Sequence, residues 1–143
     1  MKKVCILDYG IGNLKSLSNV FSKIEIDVII TSDHKKILSS DYIILPGVGA
    51  FANAMEKLKN LNLDEVVVEY INKGKPFMGI CLGMQMLFEK SEEFGITKGL
   101  GIIKGDVIKI PSKKKDMKLP HIGWNTLNSV NDALWNDSVL TNV

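Results

Sequence analysis

The residue best suited to chemistry in this sequence is a cysteine between two closely spaced glycines. Residues 79–83 read Gly-Ile-Cys-Leu-Gly, which places the thiol at Cys81. An apolar run predicts a strand over residues 76–80, and the pattern of residues 82–88 predicts a helix that starts without an intervening loop. A strand that turns at once into a helix, with a nucleophile between small residues, is the nucleophile-elbow pattern, here with sulfur in place of oxygen. Cys81 is therefore the predicted nucleophile.

The residues around this thiol fit the same interpretation. Glycine at positions 79 and 83 removes side chains that would collide with backbone in so sharp a turn. The first turn of a helix favours a thiolate, and the N–H of Leu82 would donate to an oxyanion. The competing interpretation is a buried structural cysteine, but the strand–turn–helix context favours the nucleophile. Cys5 lies inside an apolar run without flanking glycines, so we interpret it as a core residue.

A second glycine-rich break occurs earlier in the chain. Residues 46–51 read Pro-Gly-Val-Gly-Ala-Phe and follow a predicted strand over residues 42–45. Two glycines around one residue allow backbone N–H groups to turn toward a neighbouring site. Taken alone, the segment is explained equally well by an ordinary strand-to-helix turn. Beside a thiol elbow, it becomes a candidate oxyanion strand and ligand cradle.

Strands and helices alternate in the part of the chain that must position these two segments. Apolar runs predict buried strands over residues 4–7, 28–30, 42–45 and 76–80. Helical spacing predicts helices from about Asn13, over residues 51–61 and up to about Gly74, with a loop and short helix over residues 34–40. Hairpin strands are predicted over residues 102–110, and a turn and strand over residues 120–125. The alternation predicts an α/β fold, a mostly parallel sheet with helices on both faces, and both glycine-rich breaks then lie at carboxyl ends of strands.

Composition excludes several classes of protein. The 143 residues fit one domain, and 45% hydrophobic with 24% charged residues is ordinary for a globular protein. A net charge of +2 gives no basis for binding nucleic acid or a membrane surface. The two cysteines have neither a pairing pattern nor metal-ligand spacing, so we expect no metal and a reducing compartment. Without a signal-peptide core or a run of transmembrane length, we expect a soluble, cytoplasmic protein.

The set of motifs resembles the class I, or triad, glutamine amidotransferases. Residues 8–14 read Asp-Tyr-Gly-Ile-Gly-Asn-Leu and residues 120–125 read Pro-His-Ile-Gly-Trp-Asn. Both segments are similar to segments of the glutaminase subunits of imidazole glycerol phosphate synthase, as is the continuation of the elbow over residues 84–88. The resemblance covers essentially the whole chain. It implies a flavodoxin-like, three-layer glutamine amidotransferase type 1 domain over residues 1–143.

The resemblance also implies a reaction that needs no cofactor. Cys81 would attack the side-chain amide carbon of L-glutamine and form a glutamyl thioester. An oxyanion strand would lie over residues 47–49, with the Val48 N–H turning inward in the active state. The implied oxyanion and substrate-binding residues are Gly47, Val48, Gly49, Leu82 and Gln85.

A partner subunit is implied as well. Ammonia would pass through a (β/α)8-barrel cyclase that forms a heterodimer with this chain. The products would be imidazole glycerol phosphate and an aminoimidazole carboxamide ribotide, in histidine biosynthesis. The implied interface residues are Asn13, Pro120, His121 and Trp124.

One part of the family pattern is missing from this sequence. The family's catalytic histidine and glutamate belong to a His-x-Glu motif, and no such motif occurs here. We interpret His34 as a solvated loop residue, and His121 matches the interface motif. The resemblance therefore implies a domain that is incomplete at its C-terminus. We expect the polypeptide alone to be a poor glutaminase and marginally stable, because losing a general base typically costs about 10²–10⁴ in rate.

Three other interpretations remain open at this point. In the first, the barrel partner would use the ammonia to amidate a sugar for surface polysaccharide. Because the acceptor binds to the partner and not to this chain, the test is the gene neighbourhood, which would distinguish this pathway from histidine biosynthesis. A cysteine-dependent α/β-hydrolase shares the thiol elbow but leaves residues 8–13 and 120–125 unexplained. A non-catalytic remnant would dock on the cyclase without turning over glutamine.

Overall fold

The computed structural model describes residues 2–111, 123–126 and 128. The chain divides into two compact units, Met1–Ile110 and Pro111–Val143, and every helix and strand described here belongs to the first. The helices are α1 (Leu14–Lys23), α2 (His34–Ser39), α3 (Phe51–Asn60), α4 (Leu63–Asn72) and α5 (Leu82–Gln85). The strands are β1 (Val4–Leu7), β2 (Val28–Thr31), β3 (Tyr42–Leu45), β4 (Phe77–Gly79), β5 (Phe88–Ser91), β6 (Thr97–Lys98) and β7 (Ile103–Val107).

A parallel sheet positions the two glycine-rich segments. Its four strands have the order β2–β1–β3–β4, and all three pairings are parallel. Leu45 pairs with Gly79, so β3 and β4 end side by side. The loop over residues 46–50, called the 46–50 loop below, therefore leaves the sheet beside Cys81. The predicted α/β fold and the predicted edge of the sheet are both confirmed.

Helices pack on both faces of this sheet, as predicted. One face is covered by α2, α3 and α4, and their apolar residues form a single buried cluster with alternate residues of the strands. Cys5 belongs to that cluster, and burial raises the pKa of its thiol to about 11, which agrees with a core cysteine. On the opposite face, half-buried Leu14, Leu17 and Phe21 of α1 pack against a smaller cluster formed by β1 and β3.

One prediction of burial was wrong. The strand predicted over residues 28–30 exists as β2, but it lies at the edge of the sheet, and Ile29 and Ile30 are each 40% exposed. Helix α1 begins next to Asn13 as predicted; Val20 on the helix and Ile24 just after it are exposed. Hydrophobic periodicity identified both elements correctly, but burial depends on the order of strands in the sheet, which periodicity does not encode.

The helix predicted over residues 82–88 was also wrong in its length. Helix α5 ends at Gln85, and Phe88 begins β5. The carbonyls of Met86 and Leu87 accept hydrogen bonds from the N–H groups of Leu100 and Ile102, at 2.8 and 2.9 Å. Because these carbonyls are engaged by a distant segment, the chain leaves the helix and joins a second, three-stranded sheet.

The second sheet only partly matches the predicted hairpin. Its order is β6–β5–β7, with β5 antiparallel to β6 and parallel to β7. Of the residues predicted over 102–110, Ile103–Val107 form β7, while Ile108 and Ile110 are exposed outside it. Of the turn and strand predicted over residues 120–125, residues 120–122 lie outside the described residues, and residues 123–125 form no strand. None of the helices in the described ranges is long and apolar enough to cross a membrane.

Candidate active site

Cys81 occupies a tight turn between β4 and α5. Its φ of 54° and ψ of −116° are close to the values of about +60° and −120° for the first central residue of a type II′ turn. The N–H of Gly83 donates to the carbonyl of Ile80 at 3.0 Å and closes the turn. Glycine normally occupies this position, so a cysteine there carries about 1–3 kcal/mol of backbone strain. The turn leaves Cys81 exposed rather than in the core.

The flanking glycines are required by backbone packing. A Cβ atom on Gly79 would lie 2.6 Å from the Cα of Met84, and a Cβ on Gly83 would lie 2.0 Å from the carbonyl oxygen of Leu45. Neither neighbour is a flexible side chain that could move aside. Small residues are therefore required at positions 79 and 83 because α5 closely approaches the ends of β3 and β4.

The 46–50 loop lies against the first turn of α5. A Cβ on Gly47 would approach the backbone nitrogen of Gly83 to 2.7 Å and the Cβ of Leu82 to 2.9 Å. Val48 is 55% exposed, and Gly49 has a φ of +91° with no atom within 4 Å of the position its Cβ would take. The two glycine-rich segments that the sequence singled out are thus in contact.

Two further predicted site residues lie on α5. Leu82 occupies the first position of the helix, and its N–H has no acceptor among the described residues. Gln85 is the last residue of α5, and its N–H donates to the Cys81 carbonyl at 3.1 Å. Because α5 is a single turn, its dipole is small. The Leu82 N–H therefore contributes more than the dipole to stabilising a negative charge at the oxyanion position.

Two residues that sequence reasoning did not single out hold the ends of the 46–50 loop. The hydroxyl of Tyr9 donates to the carbonyl of Pro46 at 2.7 Å, and a carboxylate oxygen of Glu93 accepts from the N–H of Phe51 at 2.8 Å. These pairs are 37 and 42 residues apart. Residue spacing carries no signal for contacts of that kind, because they depend on the packing of the sheet.

The predicted interface residues and histidines are placed as follows. Asn13 is exposed and caps α1, where its side-chain oxygen accepts from the N–H of Ser16 at 3.2 Å. Trp124 is exposed, whereas Pro120 and His121 lie outside the described residues. His34 is not a loop residue as predicted but the first residue of α2, with its Nε2 2.9 Å from the Leu61 carbonyl oxygen.

The strained conformation of Cys81 leads to a stability prediction. We expect Cys81→Gly to unfold at higher urea concentration than Cys81→Ala, because glycine adopts this backbone conformation without strain. The gain is reduced by the extra freedom of glycine in the unfolded chain, which leaves a difference of about 1 kcal/mol in the free energy of unfolding. An alanine variant at least as stable as the glycine variant would show that the turn is unstrained.

Comparison with known proteins places this geometry in context. The family model described as glutamine amidotransferase class-I matches residues 5–138. The chain is 46% identical to imidazole glycerol phosphate synthase subunit HisH 1 of Legionella pneumophila (strain Lens), with 100% of this chain and 69% of that protein aligned. It is 48% identical to subunit HisH of Aquifex aeolicus (strain VF5), with 87% of this chain and 59% of that protein aligned.

A further relative and a solved structure agree with these matches. Subunit HisH of Lactococcus lactis subsp. lactis (strain IL1403) is 49% identical over 90% of this chain and 62% of its own length. Among solved structures, a proposed peptidase E from Listeria monocytogenes EGD-e superimposes with a TM-score of 0.53, over 62% of this chain and 50% of that one. Its 15% sequence identity shows a shared fold and nothing about the reaction.

Proposed function

The chain belongs to the class-I glutamine amidotransferase family, and we propose that it is the glutamine-hydrolysing subunit of an imidazole glycerol phosphate synthase. The observation that carries this proposal is the contact between the two glycine-rich segments. An exposed thiol at Cys81 stands in a type II′ turn, and the 46–50 loop packs directly on the helix that follows it. Membership of the family also removes the alternative of an α/β-hydrolase.

The arrangement supports nucleophilic attack on a carboxamide. The sulfur of Cys81 bonds to the amide carbon of glutamine, and the electron pair of the C=O bond moves onto oxygen. The N–H of Leu82 and an N–H of the 46–50 loop stabilise that oxyanion, with Gly47, Val48 and Gly49 as the oxyanion strand. When the tetrahedral intermediate collapses, the C–N bond breaks and ammonia leaves. Water then cleaves the thioester, which releases glutamate and regenerates the thiol.

A general base must take the thiol proton and pass it to the departing ammonia. His34 does not occupy a suitable position. Helix α2, which it begins, follows the edge strand β2, and two strands separate β2 from β4. Neighbouring strands lie about 4.8 Å apart, which puts His34 well beyond hydrogen-bond reach of Cys81. The base is therefore a group other than His34.

The ammonia has a defined destination in this proposal. It passes to a (β/α)8-barrel cyclase subunit in the cytoplasm, for histidine biosynthesis. Asn13 and Trp124 are each exposed, which supports the proposal that each contacts the partner, and the family resemblance adds Pro120 and His121 to the proposed interface residues. Gln85 would hold the glutamine. A partner that amidates a sugar instead would use the same ammonia, so an assay of the purified pair with each acceptor separates the two.

Covalent labelling tests the proposed glutamine site. The full-length protein, with its partner subunit, is treated with a glutamine-analogue electrophile and its intact mass is measured. We expect one label per chain, protection by glutamine, and no label in Cys81→Ala. Cys5→Ala is the matched control. Because Cys5 is buried, it should take no label, and the variant should still carry one label per chain. Labelling that persists in Cys81→Ala would contradict the proposed site.

A further inference from the structure

The 46–50 loop consists of a fixed base and a free tip. Pro46 and Gly47 are buried, and Gly47 has no room for a side chain because the backbone of Gly83 lies so close. Val48 and Gly49 are exposed, and no atom lies within 4 Å of the position that a Cβ on Gly49 would take. A rotation of the peptide between Gly47 and Val48 would redirect the Val48 N–H while Pro46 and the Cα of Gly47 stay in place.

The base is held by one buried hydroxyl. Tyr9 is 2% exposed, its ring belongs to the main core cluster, and its hydroxyl donates to the Pro46 carbonyl at 2.7 Å. Burial raises the pKa of Tyr9 to about 12, so the group remains a protonated donor throughout the neutral range. The same oxygen lies 3.9 Å from the sulfur of Met86, just beyond the end of α5. Tyr9 therefore links the loop to the helix that follows the nucleophile.

The turn that carries Tyr9 supports this contact from a second side. A Cβ on Gly12 would lie 3.1 Å from the ring carbons of Pro46, so the backbone there packs on the proline. The N–H of Gly10 donates to the side chain of Asp8 at 3.1 Å, which stiffens the turn at the end of β1. The Tyr9 hydroxyl thus extends from a segment that is held in place by packing and by a hydrogen bond.

We propose that Tyr9 is a positioning residue for the reaction, whose hydroxyl holds the Pro46 carbonyl so that backbone rotation in the 46–50 loop is confined to the peptide groups that follow Gly47. The proposal rests on the proposed function of the loop as an oxyanion strand. Without the hydroxyl, the base would move as well, and the loop N–H would spend less time directed at the oxyanion. The ring of Tyr9 would still fill its place in the core.

The expected kinetic effect follows from when the oxyanion exists. Negative charge develops on the amide oxygen only as Cys81 attacks, so a misdirected donor weakens binding of the transition state more than binding of glutamine. We therefore expect Tyr9→Phe to lower kcat about tenfold and to change KM by less than about twofold. The measurement is glutamine hydrolysis by the full-length protein in complex with its partner subunit.

Tyr70→Phe is a closely matched control. Tyr70 is also fully buried, and its hydroxyl also donates to a backbone carbonyl, that of Ser40, at 3.2 Å. It lies on α4, and none of the hydrogen bonds in the described part of the chain joins it to the 46–50 loop. Tyr70→Phe should cost no more thermal stability than Tyr9→Phe, because Lys75 Nζ still donates to the Ser40 carbonyl at 3.1 Å, and only Tyr9→Phe should lose kcat. Equal kcat losses in the two variants would mean a general structural effect and would overturn the proposal.

A second readout separates the loop from the nucleophile. Alkylation of Cys81 by iodoacetamide displaces iodide at a saturated carbon and forms no oxyanion, so its rate should be unchanged in Tyr9→Phe. A parallel fall in alkylation and turnover, an unchanged kcat, or an effect confined to KM would each overturn the inference. Cys81→Ser in the same assay tests the proposed function itself. If that variant turned over glutamine like the unaltered protein, the glutaminase assignment would fail, whatever Tyr9→Phe did.

Discussion

Cys81→Ala is expected to reduce glutamine hydrolysis by about 10⁴-fold or more in the complete enzyme, because the proposed thioester forms on this sulfur and the other thiol of the sequence, Cys5, is buried. The substitution removes only the sulfur from an exposed turn, so the sheet and the 46–50 loop should keep their positions. The measurement is glutamate production from saturating glutamine by the purified complex.

An ammonium salt supplied in place of glutamine serves as the control for this prediction. In the proposed function the partner subunit consumes ammonia, so we expect product formation from external ammonia to survive in Cys81→Ala. Loss of both activities would mean that the substitution disturbs the complex. Retention of glutamine hydrolysis above about one-hundredth of the original rate would mean that Cys81 is not the nucleophile.

Gly83→Ala is expected to have the largest effect on stability in the described part of the chain. The added Cβ would lie 2.0 Å from the carbonyl oxygen of Leu45, and relief requires that either α5 or the end of β3 move. We expect a loss of at least about 3 kcal/mol in the free energy of unfolding, measured in urea, together with loss of glutamine hydrolysis.

Gly74→Ala provides the comparison. Gly74 also lacks a side chain and has a φ of +68°, but no atom lies within 4 Å of the Cβ position. Gly74→Ala should lower the free energy of unfolding by about 1 kcal/mol, from backbone strain alone, and the variant should retain activity. Similar losses for Gly83→Ala and Gly74→Ala would show that the close approach of α5 to β3 does not determine the stability of the turn.

The parts of the fold that could be predicted are those that local sequence determines. Strands β1 and β3 followed from apolar runs because they are buried on both faces, and helices α3 and α4 followed from helical spacing because each buries one face. Cys81 was identified because a strand, a glycine-flanked turn and a helix follow one another without a gap. The parallel sheet then required the 46–50 loop to end beside it.

The parts that could not be predicted depend on distant contacts. Helix α5 stops at Gln85 because residues near 100 take the following carbonyls, and β2 is exposed because the sheet ends there. The contact between Tyr9 and Pro46 joins segments that nothing in the sequence pairs. Such contacts also shape the candidate site. The nucleophile Cys81 was therefore predicted from the sequence, but Tyr9 and Glu93, which hold the 46–50 loop, were not.

Acid quenching of the enzyme during turnover tests the central claim most directly. The complex is mixed with glutamine, denatured in acid within the steady state, digested, and analysed by mass spectrometry. The account predicts a glutamyl thioester on the peptide that contains Cys81, absent when glutamate replaces glutamine. A covalent adduct on a different residue, with Cys81 unmodified while ammonia is being released, would contradict it.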